Sequence, residues 1–389
     1  MVETVGNQER HDTHVTAPGT VPVAVLLGPR PAVIAAARRA GARTVVVAPG
    51  PSVPSDREGA ERPVRADWRD HQSLTGELAR LAAVREGRAA VFGFDAATAL
   101  AAARANEALG LPGTRPDTVT ALMDKAALRA RTNKALHPGW PVSFARCGRA
   151  DLLPFIAGLI GYPCVVKPRA GADGEGVRRL SGPADARAAA GAYPEITDLL
   201  VEELLEGPEL AVEALSRAGR HQILGWTRRL PGPGLTVADH RLPVPLDARL
   251  AESLRSLVRR VLDLARHRDG PSHTEVVLTA RGPRLIEAHP HPGALEPTLL
   301  RLATGTDVLA LAVAAGLGLP SPLRQPRAAH AALRYVGVTP PAPTALAAAR
   351  ALPGVIRVQL SHPHPYILAT APTAKALSTT LTQATTLLP

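Results

Sequence analysis

Residues 273–289 read HTEVVLTARGPRLIEAH, and the fold turns on how this stretch is read. Two apolar-rich runs flank Ala280-Arg281-Gly282, which predicts a β-hairpin with a three-residue loop. Facing residues of an antiparallel pair share a constant index sum. A loop centred on Arg281 therefore sets Glu275 opposite Glu287, Val277 opposite Leu285 and His273 opposite His289. Side chains alternate along each strand, so both glutamates and both histidines share one face. Directly opposed carboxylates repel each other. A divalent cation relieves that repulsion, and carboxylate oxygens favour the hard ions Mg²⁺ and Mn²⁺. A zinc site built from the two histidines and two glutamates is a second reading. A metal-free hairpin, with one glutamate protonated or turned away, is a third.

Upstream, Tyr162 to Lys167 (YPCVVK) reads as a strand running into a glycine loop with Gly171, Gly174 and Gly176. Glycines let backbone N–H groups close around phosphate oxygens, and Lys167 at the strand end adds a cation. The Walker ending Gly-Lys-Ser/Thr is absent. Leu199 to Leu205 reads as a strand with an acidic end, Glu202 and Glu203, followed by Glu209. Such carboxylates suit a purine amino group or ribose hydroxyls; a charged edge strand is the plainer reading. Glu209 to Leu215 and Gln222 to Thr227 predict a strand pair, and Leu250 to Ala265 an amphipathic helix.

The flanks are α/β. Val23 to Leu27, Ala32 to Ala40 and Thr44 to Ala48 predict a strand–helix–strand unit, hence parallel pairing. A strand at Ala89 to Phe94 and a helix at Ala96 to Leu109 extend it, and no GxGxxG fingerprint follows the first strand. Single helices are expected over Val119 to Ala135 and roughly Glu296 to Gly316. Strand and helix alternate again in the last 60 residues.

The chain has 389 residues, enough for two or three domains, and a formal net charge of +11. Its arginines are scattered and aromatics are 3%, which favours a solvated arginine-rich surface over a nucleic-acid partner. Of 45 basic residues only four are lysines: Lys125, Lys134, Lys167 and Lys375. A lysine kept in so arginine-rich a chain points to a need for a compact ammonium. Cys147 and Cys164 have no metal-binding spacing, and no apolar run reaches the roughly 18 residues of a membrane span. Residues 1–20 are polar, without a signal-peptide pattern, and are expected to form a disordered tail. The expected location is the cytoplasm, with no nucleic-acid or membrane partner; a homodimer is left open.

Taken in order, MDKAALR at 123–129, YPCVVKPRAGADGEGV at 162–177, LLVEELLEGPELAVE at 199–213, HTEVVLT at 273–279, RLIEAHPHPGA at 284–294 and LATGTD at 302–307 resemble the ATP-grasp superfamily, in particular its carboxylate–amine (amino-acid) ligases. The resemblance implies an N-terminal Rossmann-like parallel α/β domain over 21–115, an ATP-grasp domain over 116–325 with its lid subdomain at about 125–200, and a small C-terminal α/β subdomain over 326–389. It implies that Lys125 and Lys167 contact ATP phosphates and that the 171–177 loop covers them. It sets Glu202 by the adenine amino group, the backbone of Glu203 to Leu205 along the base, and Glu209 on the ribose. Glu275, Glu287 and His289 would hold Mg²⁺ or Mn²⁺. The implied reaction forms ADP and an acyl phosphate, which an amine then converts to an amide.

One position departs from the family pattern. His291 stands where relatives commonly carry an arginine that holds the substrate carboxylate or acyl phosphate, and the usual Gly-Gly-Asp is missing. A neutral imidazole does not replace a bidentate guanidinium. Arg228, Arg229 and Arg301 are candidates to supply the charge; otherwise the substrate differs or catalysis is weakened. The rival readings are a degenerate ATP-grasp protein that binds nucleotide without ligating, and a carboxylase-like subunit. Turnover with any substrate pair separates the first from a ligase; the lack of a biotin-carrier segment counts against the second.

Overall fold

The computed structural model describes residues 21–28, 30–49, 60–135, 141–169, 176–193, 198–232, 237–323, 327, 329–337, 341–361 and 364–388. The predicted tail over 1–20, and Gly171 and Gly174 of the glycine loop, lie outside these residues.

The N-terminal part runs β1 (Val23–Leu27), α1 (Pro31–Arg39), β2 (Arg43–Ala48), β3 (Ala60–Arg65), α2 (His71–Ala79), α3 (Ala82–Arg85), β4 (Ala89–Phe92) and α4 (Ala99–Ala108). Its strands pair in parallel in the order β3-β2-β1-β4. All five residues of β1 are buried, as expected of a strand covered by helices on both faces. Alternate residues serve two cores: Ala24 and Leu26 pack toward α1 and Val25 toward Leu74 and Leu78 of α2. The chain leaves β1 in one direction and returns beside it as β4, so a crevice opens at the carboxyl ends of these two strands. The predicted helix start at Ala96 moves to Ala99 because Asp95 accepts from both the backbone N–H (2.9 Å) and the hydroxyl (2.6 Å) of Thr98.

The single helix expected over 119–135 is two: α5 (Pro116–Met123) and α6 (Lys125–Ala135). Asp124 is extended between them, with ψ 93°. Its carboxylate accepts the Ala127 N–H at 3.0 Å and Arg169 Nε at 2.9 Å, so a side-chain clamp replaces one helical residue. Next come β5 (Phe144–Cys147), α7 (Leu153–Ile160), β6 (Cys164–Pro168), β7 (Arg178–Leu180), α8 (Pro183–Gly191) and β8 (Leu199–Glu203). They form an antiparallel sheet ordered β5-β8-β6-β7, and α7 and α8 bury Leu153, Ala157, Ala186 and Ala189 on one face.

The rest builds one large sheet from β9 (Glu209–Arg217), β10 (Arg220–Pro231), β11 (Val237–Leu242), β12 (Gly270–Thr279), β13 (Gly282–His289), β14 (His330–Tyr335), β15 (Val355–Gln359) and β16 (Tyr366–Ala371). Its order is β13-β12-β9-β10-β11-β14-β16-β15, so the C-terminal strands extend the sheet that carries the hairpin. Helix α9 (Ala248–Leu264), capped by Asp247 at 2.8 Å, buries Leu254, Leu257, Val258, Val261 and Leu262 against Leu210, Val212, Val276 and Leu285. The helix expected over 296–316 is also two, α10 (Glu296–Thr304) and α11 (Val308–Gly316), bent by 106°. Gly305 takes the left-handed conformation (φ 76°) and Asp307 caps α11, which together end one helix and start the next. Helices α12 (Pro343–Ala351) and α13 (Ala374–Leu387) pack a further core on β14 to β16. Among the described residues no single helix is long and apolar enough to cross a membrane.

The hairpin register differs from expectation. Thr279 pairs with Gly282, so the loop is the two residues Ala280 and Arg281. Val277 faces Arg284 rather than Leu285. A bulge between Glu275 and Val276 then adds one residue on β13, and beyond it Glu275 faces Glu287 and His273 faces His289 as expected. The shorter loop and the bulge cancel.

Candidate active site

One face of the large sheet is apolar and covered by α9; the other carries the chemistry. On β9 the residues Leu210, Val212 and Ala214 point to α9, so Glu209 and Glu213 point the other way. His273 pairs with Glu213 on β9 and with His289 on β13, while Arg229 on β10 pairs with Glu209 and with His240 on β11. Five strands thus bring together Glu209, Glu213, Arg229, His240, His273, Glu275, Glu287 and His289.

These groups form a connected network. Arg229 Nη1 lies 2.7 Å from Glu209 Oε1 and also forms an ion pair with Glu275. Lys125 Nζ, in the first turn of α6, lies 3.1 Å from Glu287 Oε2, and His289 Nε2 lies 3.1 Å from Glu287 Oε1. His273 Nδ1 donates to Glu213 Oε1 at 2.6 Å, and His240 Nδ1 lies 3.1 Å from Glu296 Oε1 at the start of α10. Burial by itself would raise every carboxylate here. The Arg229 and His273 charges outweigh it and hold Glu275 below the ordinary range. For Glu287, burial and the facing Glu275 charge push up, but His289 and Lys125 outweigh them and bring it down to about 2. Burial wins at Glu209, which sits above the ordinary range despite Arg229. His291 is driven down to about 4 by burial and by the His289 charge, so its ring is neutral at physiological pH. Its Nδ1 donates to the Pro292 carbonyl at 2.9 Å and its ring stacks on His289 at 5.2 Å between centroids.

Glu202 on β8 is buried between two cations. Arg129 Nε of α6 donates to one oxygen and Lys167 Nζ of β6 to the other, each at 2.6 Å. The carboxylate expected beside an adenine amino group therefore fixes the Lys167 ammonium. Beyond it, the Glu203 N–H donates to Ser143 (2.9 Å) and the Leu204 N–H to Pro163 (3.3 Å), while the Leu205 N–H has no partner among the described residues. Gly176 (φ 68°) is held by the Tyr193 hydroxyl on its carbonyl.

Two candidate cations lie elsewhere. Arg228 shares the Leu210 face of the sheet and is exposed, so the neighbouring Arg229 is the one that reaches the glutamates. Arg301 on α10 lies by Arg39, Asp307 and Arg327, away from the hairpin. Sequence reasoning passed over Arg129 and Glu213, although the alternation Glu209, Ala211, Glu213 marks the polar face of β9. It also passed over Glu296 as a site group, because a helix-start glutamate looks like a routine dipole partner.

Residues 160–296 match the family model of the ATP-grasp domain. The fold is similar to that of the L-amino acid ligase from Bacillus licheniformis, with 19% identity, a TM-score of 0.77, and 94% of this chain and 98% of that chain covered. It is also similar to a carboxyaminoimidazole ribonucleotide synthase from Aspergillus clavatus, with 15% identity, a TM-score of 0.74, and coverage of 94% and 98%. An uncharacterized protein of Sinorhizobium fredii is 28% identical over 299 residues, 71% of this chain; the chain spans 59% of the length of that relative. Residues 160–296 thus match the ATP-grasp domain, within a chain whose overall fold is that of these solved enzymes.

Proposed function

We propose that this protein is an ADP-forming ligase that joins a carboxylate, an amino acid or small natural-product acid, to an amine through an acyl phosphate. The observation that carries the reading is the facing pair Glu275 and Glu287, largely buried and braced by Arg229 and Lys125. Two carboxylates held this close and ionised are suited to a hard divalent cation. His289 Nδ1, buried beside this pair and without a partner among the described residues, is open to a ligand. Glu275, Glu287 and His289 would hold Mg²⁺ or Mn²⁺, which when bound neutralises charge on the transferred phosphoryl group.

The remaining groups fall into place around it. Lys167, oriented by Glu202, and Lys125 would hold the ATP phosphates, and Gly176 with the loop before it would close over them. Glu209 would take the ribose and the Leu205 N–H an edge of the base. Closure would exclude the water that otherwise hydrolyses an acyl phosphate. Localisation in the cytoplasm belongs to the same proposal. The test is ADP release from MgATP against a matrix of acids and amines, with product masses read in parallel. The second reading, a nucleotide-binding protein without ligase activity, draws on His291 in place of arginine. It predicts bound ATP with no turnover, and His291→Arg would then restore activity.

A further inference from the structure

The large sheet has β13 of the hairpin at one end and β15 at the other, and among the described residues β15 pairs with β16 alone. An edge strand presents N–H and C=O groups that template a further strand. A groove of about 340 Å³ follows this edge, lined by Arg350, Val355, Ile356, Arg357, Val358 and Gln359. The ladder to β16 is irregular between Val355 and Arg357, and both Ile356 (51% exposed) and Arg357 are left exposed there. Arg350, in the last turn of α12, donates from Nη2 to the Val358 carbonyl at 3.4 Å. That is longer than the roughly 2.7–3.2 Å of a full N–H···O bond, so a backbone acceptor of the edge is only loosely held.

The charge of the groove has one sign. No aspartate or glutamate follows Asp307 in the chain, whereas Arg324, Arg327, Arg334, Arg350, Arg357 and Lys375 do. β15 packs on β16, α12 and α13, all inside that acid-free stretch. Asp239 of β11 reaches the stretch at Arg334, on β14, and is shared with Arg241. Among the described residues Arg350 and Arg357 meet no carboxylate.

A free edge, an exposed apolar side chain and two uncompensated guanidinium groups in one groove complement one kind of partner. We propose that β15 takes up an extended acidic segment of a partner protein as an added strand, its carboxylates on Arg350 and Arg357 and an apolar side chain against Ile356. Main-chain bonds supply affinity in this mode and side-chain pockets supply selectivity. A second copy of the chain fits less well. Antiparallel pairing of β15 with itself about its centre would set Arg357 against its own counterpart, and like charges directly opposed repel. The proposal is independent of the ligase reading, since β15 and the hairpin occupy opposite ends of the sheet.

The probe is a fluorescein-labelled peptide of about eight residues that alternates glutamate with valine, long enough to span one strand. It is added to the full chain and followed by fluorescence anisotropy. It is expected to bind and to slow hydrogen exchange of the β15 backbone. Glutamine in place of its glutamates should weaken it at least about tenfold. Methylating the backbone nitrogens on its pairing edge should abolish binding, because an added strand needs those N–H groups. Arg357→Glu should weaken the glutamate peptide at least about tenfold and bind the lysine counterpart instead, a gain that a misfolded variant would not show. No binding of the glutamate peptide, equal binding of the glutamine or N-methyl peptide, or exchange protection away from β15 would each overturn the proposal. So would an oligonucleotide of equal charge that binds the groove as tightly, or a dimer of the chain that protects β15 without any peptide.

Discussion

Single residues carry the sharpest consequences. Glu287→Ala removes one of two facing carboxylates, and Mg²⁺-dependent ATP turnover should fall at least about 100-fold with little change in melting temperature. Wild-type turnover in that variant would remove the metal assignment. Glu202→Ala leaves Arg129 and Lys167 buried without their shared anion. Urea denaturation should show a loss of about 3–5 kcal/mol, and a loss well below 1 kcal/mol would contradict the buried triad. Lysine scarcity made four positions legible as worth attention, and two of them, Lys125 and Lys167, lie against Glu287 and Glu202. The choice of Arg229 over Arg228 was not legible. Adjacent residues on a strand face opposite ways, and the irregularity between Ile223 and Gly225 resets which of the two meets Glu209.

At the scale of elements, the hairpin shows why a right answer can rest on a wrong count. The glutamate pairing was read with a three-residue loop and an unbroken ladder; the molecule uses two loop residues and a bulge, and the two changes offset. No local propensity marks Ile286 as the extra residue. The helix breaks at Asp124 and Gly305 were missed because apolar periodicity runs across them; each depends on a capping carboxylate that only the folded chain brings into use. The turn after β13 offers a direct check. A Cβ on Gly293 would lie 2.4 Å from Glu296 Oε2, 2.7 Å from Glu213 Oε1 and 2.8 Å from His273 Nδ1. Those three atoms are buried and bonded, so Gly293→Ala should cost about 1–3 kcal/mol by chemical denaturation and lower turnover with it. Unchanged stability would mean that the network is looser than its distances say.

For the whole molecule, acid should weaken the fold through buried neutral histidines. Burial drives His267 down to about 4 while its Nε2–H donates to Gly270 at 3.1 Å. An unfolded histidine titrates near 6.5, so below that pH the unfolded chain takes a proton that the fold refuses. This contribution is complete above pH 6.5 and is lost as pH falls toward 4, with a slope of at most roughly 1.4 kcal/mol per pH unit. His267→Gln should flatten the profile over that window relative to wild type, and identical slopes would show that His267 is not buried neutral. The order of the parts was legible from the sequence, since each motif lies on its own element. What it did not show was the seam between α1 and α11, where Val33 and Ile34 share a core with Leu309 and Val313 and Arg39 pairs with Asp307, because contacts between elements far apart in the chain leave no periodic trace.

The most direct test of the ligase account follows ADP and product masses together, with MgATP and pairs of acids and amino acids. The account predicts ADP in step with a condensed product, dependent on Mg²⁺, on both substrates and on Glu287. ATP that binds but is not consumed with any pair, or that is cleaved to AMP, would contradict it.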